Sequence, residues 1–446
     1  MGITGTGGMV SLLGIGTGIG TGRGIAHGRG LVLSMETPPL AGGTAPVDAP
    51  TEEAALVAPR GCEMRIDMVA AEDEVLAEGA PIARLRDAPD VTLVAPMPAR
   101  VARIRLLPGR RLGEIVLFRE AGGERSRHDT AGAASSADAL AALAQRAGFW
   151  PRLRRRPYGG LPGPAERPAA IVVMARDTRP FAPDPRHEVT GREEALVRGL
   201  AALGLLTDGP IFLCEDGARP LLPRGDGGPR VTRVAVGPRH PQGLAGICLH
   251  DLCPATDARP VWDLHVGDVA DLGELLGTGV LPQTRVVSVA GPALTETRLL
   301  RCQIGADTRG LSYGAVRPGP HAILAGSPLD GRAAHWLGPR DRQVSVLPEP
   351  PGETRPHWFL SALTRSSRPK PLIPTAALSQ AAGGAFPVMA MLRALSTGDD
   401  ETATRLGALS LVEEDLALVD YVVGGAPSAS DLLRGFLDRA QAEAAP

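Results

Sequence analysis

Apolar and polar residues alternate along this chain with two different periods, and the change between them divides it. In Met64–Val69 and Val91–Val101 apolar residues recur at every second position, the period of a strand with one buried face. Tight turns at Gly79 and Gly109 punctuate 56–120, so short strands building a small sandwich or barrel are expected there. A polar link, Ala121–Ala134, follows, and the period then lengthens. SSADALAALAQRAG (135–148) reads as a helix, with Ser135 or Ser136 as N-cap and Gly148 as stop. AAIVVMA (169–175) is a continuous apolar run, typical of a strand buried on both faces. Thr190 and Glu193 have capping-box spacing for an amphipathic helix over 192–204 that ends at Gly204. IFLCE (211–215) and VTRVAV (231–236) are two further strands. Strand, helix, strand, strand in this order predicts a Rossmann-like α/β unit.

Residues 261–347 mix short strands, clearest at 285–292 and 342–347, with one helix, Val266–Leu276, and predict a small β-grasp-like α+β unit. From about 356 the chain reads as helical, over 386–396, 401–409, 412–422 and 430–444. Leu432, Leu433, Phe436, Leu437 and Ala440 form one apolar stripe on the last helix. The fold class expected is therefore mixed α/β and α+β, multidomain, with units at 28–122, 135–258, 259–348 and 356–446.

Composition narrows the chemistry. The net charge of −2 gives no indication of a polyanion-binding surface. Five cysteines without a CxxC argue against a disulfide framework and for a reducing compartment. No uncharged apolar run reaches the roughly 18–20 residues that span a bilayer, so work at a membrane implies a partner that brings the chain there. The Gly-rich start, GIGTGIGTGRG (14–24), tempts a nucleotide-loop reading, but no register of G-x-G-x-x-G fits it. Residues 1–27 are expected to be a flexible extension.

Four candidate constellations remain. WPRLRRRPYGGLP (150–162) sets four arginines between two aromatics. Trp150, Arg152, Arg155, Pro157 and Tyr158 can offer planar and cationic groups to a ring or partner; the competing reading is a solvated linker. Asp177 and Thr178 follow a buried strand, where open α/β sheets bind ligands, or else they close an Asx-turn. His240 sits in a rigid Gly/Pro loop as a ligand donor or a structural hydrogen-bonder. Cys248, His250 and Cys253 fall short of a metal site, which needs about four ligands. No nucleophile elbow, HExxH, P-loop or paired catalytic carboxylates occur. From residues alone, this is a multidomain protein that binds a small planar or apolar ligand, or partner subunits.

The stretch 75–118 also resembles half of a lipoyl or biotinyl carrier module, with VLAEGAPIARL (75–85) and the Val-Ala-Pro corner of VTLVAPMPARV (91–101). Where such carriers hold their modified lysine, the turn Arg86-Asp87-Ala88-Pro89 has none, and the chain's one lysine is Lys370. Beside this module stand ARDTRPFAPDP (175–185), GPRHPQGLAG (237–246), TGVLPQTRVVSVAGP (278–292), HWLGPRDRQVSVL (335–347) and LGALSLVEEDLAL (406–418). By their number, order and spacing, from GRGLVLSM (28–35) onward, these segments resemble the NqrA family, the A subunits of the bacterial sodium-translocating NADH:quinone reductase.

That resemblance implies a lysine-free barrel-sandwich hybrid, a Rossmann-like domain, a β-grasp (SLBB-like) domain and a helical ferredoxin-like tail. It implies a subunit of a translocase and oxidoreductase, not catalytic alone, on the cytoplasmic face of the inner membrane, held peripherally by the membrane quinone and flavin subunits; a non-catalytic scaffold subunit is the alternative. Ubiquinone is the substrate implied, with no FMN, Fe–S cluster or covalent group on this chain. The related C subunit of the Rnf complex is the weaker match, because its clustered cysteines and flavin loop are missing. Val419, Val423 and Gly424 stand where the family carries cysteines and a proline, so the tail here is expected to pack and not to conduct electrons.

Overall fold

The computed structural model describes residues 23–24, 30–223, 225–349, 375–424 and 427–444. The rest of the Gly-rich start, Lys370 and the expected opening of the helical unit lie outside them. Two short strands come first, β1 (Arg23–Gly24) and β2 (Val47–Asp48). The β-rich unit then runs through β3 (Glu53–Leu56), β4 (Ile66–Met68), β5 (Val75–Leu76), β6 (Pro81–Leu85), β7 (Thr92–Val94), β8 (Ala99–Leu107) and β9 (Arg111–Arg119). These form a four-stranded sheet, β3-β9-β8-β5, against a three-stranded one, β4-β6-β7. Met64, Ile66, Ile82, Leu93, Val101 and Ile115 fill the space between.

Met64–Val69 alternates as expected, but Val91–Met97 is buried at every position. The second face of that stretch is covered by the neighbouring unit: Val91 belongs to the α/β core, and Val94 lies under Gly148. The turn after β6 docks the same way, with Leu85 and Ala88 packed on the α/β core. The described part of the segment expected as an opening strand, residues 30–35, joins no sheet; Leu31 exchanges two backbone hydrogen bonds with His240, both 2.9 Å.

The α/β unit holds α1 (Ala137–Arg146), β10 (Arg154–Arg156), β11 (Ala170–Ala175), α2 (Glu193–Leu206), β12 (Ile211–Asp216), β13 (Val231–Val236), α3 (Ala245–Leu252), β14 (Val261–His265) and α4 (Val266–Thr278). Its sheet order is β1-β13-β12-β11-β14-β10. The strands β13, β12, β11 and β14 run parallel, and β10 is antiparallel. Residues of β11 alternate between two cores: Ile171 and Val173 face α1, α2 and α4, while Ala170, Val172 and Met174 face α3. This two-sided burial is why the run reads as continuously apolar.

Two boundaries move. The expected unit border after residue 258 is wrong, because β14 pairs with β11 in the centre of this sheet and α4 packs on α2. Helix α2 runs through Gly204 to Leu206, and no capping box opens it. The Thr190 hydroxyl donates instead to the Arg186 carbonyl at 2.9 Å.

The next sheet is built from β15 (Thr284–Ala290), β16 (Arg298–Gln303), β17 (His321–Ala325), β18 (Arg332–Ala333) and β19 (Gln343–Pro348), with α5 (Thr308–Ser312) between β16 and β17. Its order is β18-β17-β19-β15-β16-β2, so β2, far back in the chain, completes the edge. The final unit contains α6 (Ala376–Ala381), α7 (Val388–Thr397), α8 (Asp400–Arg405), α9 (Ala417–Val423) and α10 (Ala429–Ala444). Left-handed Gly407 ends the helix expected over 401–409, and 412–422 splits into a 3-10 turn, Glu413–Leu416, and α9. The stripe on α10 is the buried face: Leu433, Phe436 and Leu437 are inaccessible, and Val419 packs beside them.

Candidate functional site

The segment 150–162 is folded inward at its start. Trp150 and Trp262 meet edge to face with ring centroids 5.5 Å apart, and the Trp150 indole donates to the Pro162 carbonyl at 3.0 Å. The Arg152 guanidinium donates to Asp271 and to the Pro282 carbonyl, each at 2.6 Å. Trp150 is 1% and Arg152 4% exposed, so neither can present a ring or charge at a surface. The linker reading fails too, since β10 is a strand of the α/β sheet.

Arg155, Pro157 and Tyr158 do come together. They line an open groove of about 1140 Å³ whose other walls include Met64, Ala88 and Arg434. The β-rich unit, the 155–164 loop and α10 thus meet at one place. The Arg155 guanidinium lies 5.6 Å from the Tyr158 ring centroid and is fixed by Glu166 at 2.6 Å. Tyr158 has a left-handed backbone, φ 79°, uncommon for a bulky residue. Its hydroxyl donates to Asp257. Burial and that carboxylate push the phenol well above the ordinary tyrosine range, so it stays a protonated donor.

Asp177, Thr178 and His240 also converge, beyond the carboxyl end of β11. Asp177 closes an Asx-turn, accepting the Arg179 amide at 2.9 Å, and it takes the Arg179 guanidinium at 2.6 Å. The Thr178 hydroxyl accepts the Gly243 amide at 3.0 Å and meets His240 Nδ1 at 3.2 Å. His240 is 2% exposed, and its Nε2 has no hydrogen-bond partner. Burial lowers its pKa to about 4, so the ring is neutral near pH 7. Asp177 lines a crevice with Arg154, Arg179, Asp330, Arg340 and Glu414. Sequence reasoning named none of these five partners of Asp177 as site residues. For Glu414 the available signal was the acidic triplet Glu413-Glu414-Asp415 in an otherwise apolar segment.

Cys248 donates to the Gln242 carbonyl at 3.4 Å, and His250 Nε2 meets the Leu406 carbonyl at 2.9 Å. Among the described residues, no group of His, Cys, Asp and Glu is placed to hold a metal ion. No described helix is long and apolar enough to cross a membrane.

Residues 135–281 match the family model described as the NqrA second alpha/beta domain, and 286–335 match the NQRA C-terminal domain. The first match ends just past α4, in agreement with the sheet. The named relatives are A subunits of Na(+)-translocating NADH-quinone reductases. That of Pseudomonas aeruginosa strain UCBPP-PA14 is 34% identical over 67% of this chain and 72% of its own length. That of Vibrio campbellii is 33% identical over 78% and 84%. That of Photorhabdus laumondii is 31% identical over 91% and 98%. The chain belongs to the family of A subunits of the Na(+)-translocating NADH-quinone reductase.

Proposed function

We propose that this chain serves as the A subunit of a complex that couples NADH oxidation and quinone reduction to sodium export, and that the groove at Arg155, Pro157 and Tyr158 faces the quinone or the membrane partner. The observation that carries this is the meeting of an aromatic ring, a guanidinium stacked on it and apolar walls in one open groove. Such a lining suits a flat, partly polar head group: the ring packs, and cationic donors meet carbonyl oxygens. In this reading the residues bind and orient, and the redox chemistry belongs to other subunits. The chain carries no flavin or iron–sulfur cluster and sits at the cytoplasmic face, held there by its partners.

The docking of Ala88 supports reading 28–122 as a barrel-sandwich hybrid used as a static block. Val419 in the core supports reading 356–446 as a ferredoxin-like tail that only packs. Photoaffinity labelling of the assembled complex with a quinone analogue is expected to mark 155–164 or α10; labelling confined to other surfaces rejects the groove. The burial of Trp150 and Arg152 favours one alternative, a scaffold protein with no ligand of its own. Calorimetry with ubiquinone-1 separates the two. Saturable micromolar binding, about 8 kcal/mol, excludes the scaffold, and its absence excludes direct quinone binding.

A further inference from the structure

A cavity of about 130 Å³ opens at the carboxyl ends of β11 and β14. The strands β11, β12, β13 and β14 follow one another in the chain but lie in the order β13-β12-β11-β14. The chain steps from β11 to one side and later crosses back to place β14 on the other. This reversal parts a crevice, the place where open α/β sheets take ligands. Helix α3 starts at its wall, with Gly243, Leu244 and Ala245 lining it, and amides at a helix start favour negative charge. Arg154, Arg179 and Arg340 line it as well, and Arg156 lies behind Glu414.

The negative charge present there is the chain's own: Asp177, Asp263, Asp268, Asp330 and Asp341 line the cavity with Glu414, and Asp263 pairs with Arg154 and Asp177 with Arg179. Glu414 pairs with Arg154 at 2.8 Å. Asp415 pairs with Arg156 at 2.8 Å and accepts the Gly246 amide of α3 at 3.2 Å. Only glycine allows that approach, since a Cβ on residue 246 would lie 2.0 Å from Asp415 Oδ2. Despite its burial, Glu414 is held well below the usual carboxylate range by Arg154, Arg179 and Arg156. The fit is incomplete. Arg156 Nη2 is buried without a hydrogen bond, 3.9 Å from Glu414 Oε1. Among the described residues Arg340 donates only to the carbonyls of Leu153, Gly159 and Gly160, and its Nε is also unpartnered. A carboxylate has two oxygens in one plane; a tetrahedral oxyanion has more acceptors and more charge for these spare donors.

We propose that this crevice is an oxyanion site, of the class that holds phosphate or a phosphate monoester, filled from within by Glu414, with Asp415 anchoring the turn behind it. The filled site latches the C-terminal helical unit onto the α/β sheet, and an external oxyanion competes with the latch.

The test titrates the full chain with inorganic phosphate at constant ionic strength, in wild type, Glu414→Ala and Glu414→Gln. Calorimetry is expected to show at least about tenfold tighter phosphate binding in Glu414→Ala than in wild type, about 1.4 kcal/mol. Chloride should give no response. Equal or weaker binding, with an unchanged circular dichroism spectrum, overturns the proposal. Should Glu414→Ala fail to fold, the isosteric Glu414→Gln decides. Phosphate is expected to restore its melting temperature toward wild type, and no phosphate-dependent rise overturns the idea. Ribose 5-phosphate in parallel separates the sources: tighter binding than phosphate assigns a phosphate monoester, and equal binding a free oxyanion.

Discussion

Arg156 and Asp415 are 259 residues apart in sequence, yet Arg156 Nη1 donates to Asp415 Oδ2 at 2.8 Å and neither side chain is exposed. Arg156 also holds Asp263 at 2.9 Å and the Ser410 carbonyl at 2.9 Å. One guanidinium therefore joins β10, β14 and the turn before α9. Removing one partner of a buried ion pair leaves the other charged and unsolvated, a larger loss than the pair's net contribution.

Arg156→Met should lower the unfolding free energy by about 3–5 kcal/mol, because Asp263 and Asp415 lose a shared partner. Urea titration of the full chain reads this. A loss under about 1 kcal/mol, the range of surface pairs, would mean the clamp is ornamental.

The contact between α2 and α4 depends on two glycines. A Cβ on Gly199 would lie 2.0 Å from the Val269 carbonyl oxygen, and one on Gly273 only 1.7 Å from that of Ala195. Backbone cannot yield as a flexible side chain does. Gly273→Ala is expected to cost about 3 kcal/mol, the upper end of overpacking. Thermal melting checks it, with Gly204→Ala as the control, where the nearest atom is a flexible Arg230 carbon at 3.9 Å.

His240 should make the fold acid-sensitive. Burial, helped by Arg179, depresses its folded pKa from 6.5 to about 4, against Asp177 and Asp330, which favour its cation. Above pH 6.5 both states hold a neutral ring, and the stability is fully present. Below that value the unfolded chain takes a proton that the folded chain refuses until about pH 4. Stability is therefore lost as the pH falls through this window, by up to about 3 kcal/mol. His240→Asn should flatten the melting temperature between pH 6.5 and 4; a slope equal to wild type contradicts the assignment.

Ala88→Lys should not restore a carrier. The turn is packed on the α/β core through Leu85 and Ala88, which also line the groove beside Arg155 and Tyr158, so a lysine there is held between units where a carrier's arm swings clear of the protein. Co-expression with a biotin or lipoyl ligase, followed by intact mass measurement, should show no added group. A stoichiometric mass increase would show that the turn swings free.

The sequence by itself determined many of the strands and helices, and much of what each buries. The apolar run 169–175 marks β11, the stripe on the last helix marks the face carrying Leu433, Phe436 and Leu437, and valine at 419 marks a packed position. These are local properties, because a strand repeats every two residues and a helix every 3.6. Only the tertiary structure decided what the charged residues do. The four arginines of 152–156 look alike in sequence whether solvated or buried, yet the carboxylate partner lies 11 residues away for Arg155 and 259 for Arg156. The same holds for Val261–His265, which reads equally well as the first strand of the next unit until its pairing with β11 is seen. Pairing and charge neutralisation are long-range, set by which surfaces meet once the units have packed. A one-dimensional pattern carries no record of them.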